Sequence, residues 1–154
     1  MIYTLNNIIS SVAQMLRDHW PETAVYDART MQGTRYPCFF IQLMPSSIED
    51  GIAGRDMRRI SLDVVYVQQR NIPDANARLY DLADELDELL DMINYTDGEG
   101  NTALLHTHNR ENTIEDQELH HKFTLSNRVQ IDRPANVKIE QVEEFNIYVQ
   151  ESGD

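Results

Sequence analysis

The chain has 154 residues, a formal net charge of -13 and 41% hydrophobic residues. A domain of this length buries roughly two-thirds of its unfolded surface, and seven Tyr, four Phe and one Trp supply the bulk for a core, so one globular domain over 1–154 is expected rather than a disordered chain. The acidic excess repels phosphate backbones and anionic lipid, which argues against bulk electrostatic binding of nucleic acid or membrane and leaves proteins as the expected partners.

Ile2, Leu5, Ile8, Ile9, Val12, Met15 and Leu16 recur at helical spacing with polar residues between them, so the pattern predicts an amphipathic helix from about 3 to 19, ended by Pro21. No apolar run reaches the roughly 18 residues of a membrane helix. Met1-Ile2-Tyr3-Thr4-Leu5 has no basic region ahead of an apolar one, so no secretion signal is expected. A short edge strand follows over Thr23 to Ala28, then a turn at Gly33, then a strand over Cys38 to Met44. In that strand Phe39, Ile41 and Leu43 share one face and Phe40, Gln42 and Met44 the other. Two largely apolar faces predict a central strand covered on one side by helices. Cys38, the lone cysteine, has no disulfide partner within the chain and reads as a buried, reduced, structural thiol in a reducing compartment.

Pro45 to Asp56 reads as a polar loop, too long for a tight turn, with Ile52 exposed between Gly51 and Gly54. Arg58 to Gln69 is a long strand candidate, strongly β-prone at Val64-Val65-Tyr66-Val67, and is expected to pair antiparallel with Cys38 to Met44. Leu79, Leu82, Ala83, Leu86, Leu89, Leu90 and Ile93 fall at offsets 0, 3, 4, 7, 10, 11 and 14, a second amphipathic helix with Pro73 near its start. Asp81, Asp84, Glu85, Asp87, Glu88 and Asp91 fill the rest of its surface with no basic residue among them. Like charges at helical neighbour spacing cost a few tenths of a kcal/mol each. Two readings stand for that face: a solvated surface, or a binding or lumen-lining one.

Asp97-Gly98-Glu99-Gly100 marks a turn, and Thr102 to Arg110 with Glu118 to Ile131 reads as a long hairpin. In its second arm Leu119, His121, Phe123, Leu125, Val129 and Ile131 alternate with polar residues, giving one core face and one wet face. Four of the five histidines fall here: His106, His108, His120 and His121. With a turn centred near Ile114, His108 stands opposite His120 and beside His106, an arrangement able to surround a metal, zinc before others; a wet strand face also tolerates histidine with no ligand. Beyond Pro134, a segment over 135–154 carries Phe145, Ile147 and Val149 in alternation, suited to adding an edge strand to its own sheet or to a neighbour's.

Nothing anchors an enzyme. Cys38 has only Pro37 and Phe39 beside it and no adjacent base, the pairs Glu49-Asp50 and Glu143-Glu144 read as solvated acids, and there is no phosphate-binding Gly-rich loop, CxxC pair or HExxH. No catalytic, cofactor or metal residue is therefore assigned. Arg55, Arg58 and Arg59 form the one dense basic group, either neutralised by Asp56 or Glu49, or meeting the acidic helix of an identical subunit head to tail.

The order of these elements, short amphipathic helix, hairpin, acidic helix and second hairpin, resembles the small tail terminator proteins of long-tailed bacteriophages. The resemblance covers most of the chain. It is carried above all by the strand Pro37-Cys38-Phe39-Phe40-Ile41, the loop with Gly51 and Gly54, and the strand Arg58 to Tyr66 that leads to the acidic helix. It implies an α/β fold of α+β type, with two helices on one side of a mostly antiparallel sheet. It also implies a virion structural protein, assembled in the host cytoplasm, that forms a homo-oligomeric ring, typically hexameric, at the head-proximal end of the tail. Such a ring caps the tail tube, stops its polymerisation and presents a surface for joining the head. The implied partners are further copies of itself, the tail tube protein, a connector or neck protein and, in a contractile tail, the sheath, with DNA only passing through an acidic lumen and no cofactor. Ile48, Glu49, Asp50, Ile52, Arg55, Arg58 and Arg59, together with Phe145, Ile147 and Val149, are the expected contact residues. The alternatives are another head-tail completion or tube protein, or a small metal-binding or regulatory domain built on His106, His108 and His120.

Overall fold

In the computed structural model, residues 1–27 and 33–130 are described. Helix α1 spans Leu5–His19, with Thr4 as its N-cap accepting the Asn7 N–H at 3.1 Å. Strands β1 (Ala24–Tyr26) and β2 (Cys38–Leu43) follow, the latter entered through a cis Tyr36-Pro37 bond. Then come β3 (Ser47–Glu49), a short 3₁₀ turn (Ile52–Gly54) and β4 (Arg55–Val67). Helix α2 spans Ala75–Leu89 and leads to β5 (Met92–Thr96), β6 (Thr102–Glu115) and β7 (Glu118–Gln130). Among the described residues, seven strands form one mostly antiparallel sheet in the order β1-β2-β4-β7-β6-β5, with β3 on β4, and β1 on β2 is the one parallel pair.

Both helices cover one face of this sheet. Ile8, Val12, Met15 and Leu16 of α1 and Leu79, Ala83 and Leu86 of α2 enter a single core with Phe39, Ile41, Ile60, Leu62, Val64, Leu119, Phe123 and Leu125. This is the α+β arrangement expected, and β2 pairs with β4 as expected, Phe40 facing Val65. The apolar second face of β2 is accounted for as well: Cys38, Phe40 and Val65 form a smaller buried cluster on the far side of the sheet, where Tyr26 stacks on Phe40.

Three expectations are corrected. The stretch Pro45 to Asp56 is not all loop, because β3 pairs with Arg59, Arg58 and Met57 of β4 and a helical turn follows it. Ile93 does not belong to α2: the helix stops at Leu89, and Ile93 is a buried residue of β5, facing Leu105. The last hairpin turns at Asp116-Gln117, both with positive φ, rather than near Ile114. A bulge between His108 and Glu111, with Asn109 left-handed, shifts the register by a further residue.

The sheet end at β5 is shielded rather than open. The N–H groups of Asn94 and Thr96 on its outer edge donate to Met15 Sδ at 3.4 Å and Ser11 Oγ at 3.1 Å, both on α1. An edge satisfied in this way does not recruit a foreign strand by backbone pairing.

A clasp holds the N-terminus against this corner. Asp97 accepts the Ile2 N–H at 2.9 Å, the Glu99 and Asn101 N–H groups at 2.9 Å and the Asn101 side-chain amide at 3.0 Å. The buried Tyr95 hydroxyl donates to the Ile2 carbonyl and accepts the Thr4 N–H at 3.3 Å. The Asn101 side chain, then the Ile2 N–H, hold the Asp97 carboxyl well below the usual carboxylate range. A carboxyl depressed in the fold stabilises it fully above the unfolded value of about 4, and that contribution is lost as pH falls below it. Asp97→Asn is therefore expected to be less stable than the parent at neutral pH, with the gap narrowing in acid. Denaturant titrations of the two proteins from pH 7 down to pH 2 measure it; a gap independent of pH would contradict the clasp.

Candidate docking surfaces

The loop between β3 and β4 is a preformed projection. Asp56 is buried and accepts the Gly51 N–H at 3.0 Å, while the Gln130 side chain donates to the Ala53 carbonyl at 3.2 Å. Ala53 and Gly54 take left-handed φ values of 59° and 75°. Between these ties Ile52 stands 90% exposed, and Ile48 of β3, opposite Arg58, is also exposed. An isoleucine held out into water by its own backbone is unfavourable in isolation.

The basic group divides along the strand. Arg59 pairs with Glu49 at 2.6 Å on one face of β4. Arg58 points to the other face, where it donates to the Tyr3 carbonyl at 3.1 Å and lies over the Tyr3 ring at 5.9 Å. Arg55, Gly51, Ile52 and Ala53 line a shallow depression with Arg128 and Gln130. Among the described residues, Arg55 and Arg128 have no ion-pair partner, so the projecting end carries two uncommitted cations.

The acidic face of α2 is likewise divided. Asp87 takes the Asn112 amide at 3.0 and 3.1 Å, and Asp91 is bound by Arg110, which lowers its pKa. Arg110 lies within the β6 bulge and Asn112 just beyond it, opposite His121. Glu85 lies 3.4 Å from His19 of α1. Asp81, Asp84 and Glu88 remain exposed without an ion-pair partner among the described residues. Beside them, between the C-terminal ends of both helices and β5, runs an open cleft of about 540 Å³ lined by Met15, His19, Glu85, Glu88, Leu89, Asp91, Met92 and Asn94.

The histidines do not converge as the expected turn required. His108 faces Thr124 and His120 faces Thr113, so only His106 and His108 are neighbours, with ring centres 5.3 Å apart. No group of three or more potential metal-ligating side chains is gathered among the described residues. His120 instead bridges Asp63 at 2.9 Å and Glu118 at 3.3 Å. His121 is buried under α2 with its Nδ1 on the Asn112 side-chain oxygen at 2.7 Å and Asp87 at 3.5 Å. Burial, against the pull of Asp87, holds its pKa below the usual imidazole value. A histidine kept neutral in this way stabilises the fold above about pH 6.5 and withdraws that support as pH drops through it.

Several residues on which these surfaces depend carry no sequence signal as a group. Tyr3, Tyr95 and Asp97 set the corner, and Arg128 joins Arg55 only through strand pairing. Phe145, Ile147 and Val149 lie outside the described residues. Among the described residues no helix is long and apolar enough to cross a membrane.

Among the described residues, a two-helix, one-sheet fold whose notable exposed chemistry is an isoleucine-tipped basic projection and an acidic helix face is suited to contacts with proteins. The sequence model of the phage tail terminator protein family matches residues 7–136, and the chain belongs to that family. The family is structural rather than enzymatic and acts in tail assembly, which assigns the chain to the virion tail. No individually curated protein matches the chain.

Proposed function

We infer that this protein forms a ring at the head-proximal end of the tail, caps the completed tube, stops its polymerisation and offers the head-side surface for joining. The observation that carries this reading is the family match over 7–136. The exposed charge of both signs is consistent with it, because a structural ring works through protein faces. The tail tube protein and a connector or neck protein are the proposed neighbours, with the sheath added if the tail contracts. An acidic lumen would pass DNA without holding it. The loop from Ile48 to Arg59 and the segment with Phe145, Ile147 and Val149 are the proposed contact elements, in one domain over 1–154.

Two measurements test this. Light scattering across a concentration series, with and without chelator, is expected to give a hexamer-sized species indifferent to chelation. Purified tube protein polymerised with this chain is expected to stop elongating, giving shorter tubes with the chain at one end by electron microscopy. Unchanged tube lengths at saturating amounts would overturn the capping role.

A further inference from the structure

The basic projection and the acidic cleft are separate surfaces that share no lining residue. The projection sits at the end of the central strands β4 and β7, where Arg55 faces Gln130, whereas the cleft is bordered by β5, the last strand of the sheet. Their chemistry nevertheless matches. The cleft offers the apolar side chains of Met15, Leu89 and Met92 beside the carboxylates of Glu85 and Glu88. The projection offers the exposed Ile52 beside the exposed cations Arg55 and Arg128.

We propose that the cleft between α1, α2 and β5 receives the Ile52 projection of a second copy of this chain, with Arg55 of that copy facing Glu88. The inference rests on the ring reading and names the surfaces that build it. A projection and a receptor formed by different surfaces of the same chain define a head-to-tail contact, the kind that closes into a ring when the rotation between neighbours permits. Backbone pairing at the β5 edge is precluded because α1 already satisfies Asn94 and Thr96, so side chains must carry the contact. Burying Ile52 removes the apolar exposure that the loop enforces, and opposite charges at the rim select orientation and speed encounter. Because rim charges are screened, association should weaken as salt rises.

Charge reversal provides the test. Both positions are exposed, so Arg55→Glu and Glu88→Arg are expected to keep the parent circular dichroism spectrum. Each alone should weaken self-association, measured by sedimentation over a concentration series, by about tenfold to a hundredfold. The double variant R55E/E88R should recover it, since the pair is restored with signs exchanged. Ile52→Ser should weaken association without any charge change. Single reversals that assemble like the parent would overturn this docking mode while leaving the ring reading intact, and so would a double variant that fails to recover. A parent chain that is monomeric at every concentration would overturn the second copy as occupant, and the tube-capping measurement would then decide the ring reading on its own.

Discussion

Phe39→Ala is expected to destabilise the fold by about 3–5 kcal/mol, the range for truncating a fully buried phenylalanine. Its side chain has no solvent exposure and sits where three elements meet. The Trp20 ring at the end of α1 packs on it at 5.1 Å between centres, and Tyr66 of β4 at 5.0 Å. Removing the ring therefore opens a cavity between helix and sheet, at a point where neither can collapse inward without breaking the β2–β4 ladder. Against a typical domain stability of about 5–15 kcal/mol, the loss is a large fraction of the whole. Denaturant unfolding measures it as a lower midpoint at unchanged slope. Leu104→Ala is the control: at 63% exposure on the wet side of β6 it is expected to change stability by less than about 0.5 kcal/mol. If the two variants unfolded alike, the assignment of the core face would be wrong.

What could be read from the sequence was whatever depended on periodicity. The 3.6-residue pattern of α1 and the alternation of β7 survive because each element buries one face over three or more turns or pairs, so the signal repeats. The losses occur where a single residue changes the geometry. Nothing stops α2 after Leu89, no Gly or Pro, and Ile93 falls by chance at helical offset 14 from Leu79, so β5 was hidden behind the helix. The last hairpin turns on Asp116-Gln117, a left-handed pair without the glycine that normally marks such a turn. A turn misplaced by two or three residues, compounded by a bulge at Asn109, is enough to separate His108 from His120 and dissolve the three-histidine face. The basic group shows the opposite lesson. Arg58 and Arg59 are adjacent in sequence, yet on a strand adjacency means opposite faces, and one serves Tyr3 while the other serves Glu49. The apolar exposure of Ile52 was legible, whereas the receptor for it was not, because the cleft is assembled from residues on α1, α2 and β5.

Gly51→Ala is expected to cost about 1–3 kcal/mol of local strain and, with it, most of the self-association. The backbone at Gly51 is extended, φ -117°, so its conformation alone would accept alanine. The obstacle is contact: a Cβ built at this position would lie 1.7 Å from the Arg55 carbonyl oxygen, a separation no carbon and oxygen can share without a bond. Since the opposing atom is backbone, rotamer change offers no relief, and either the 3₁₀ turn or the start of β4 must move. Movement there breaks the Gly51 N–H bond to Asp56, leaving a buried carboxylate short of a donor. It also releases Ile52 and Arg55 from the fixed geometry that the proposed docking requires. The core lies away from this loop, so the expected signature is divergence between two readouts. Thermal unfolding should fall modestly, whereas the association constant should fall by more than the change in global stability accounts for. Equal losses in both would mean that the loop is only a structural closure of β3 onto β4, and intact association in Gly51→Ala would remove the preformed projection from the assembly mechanism.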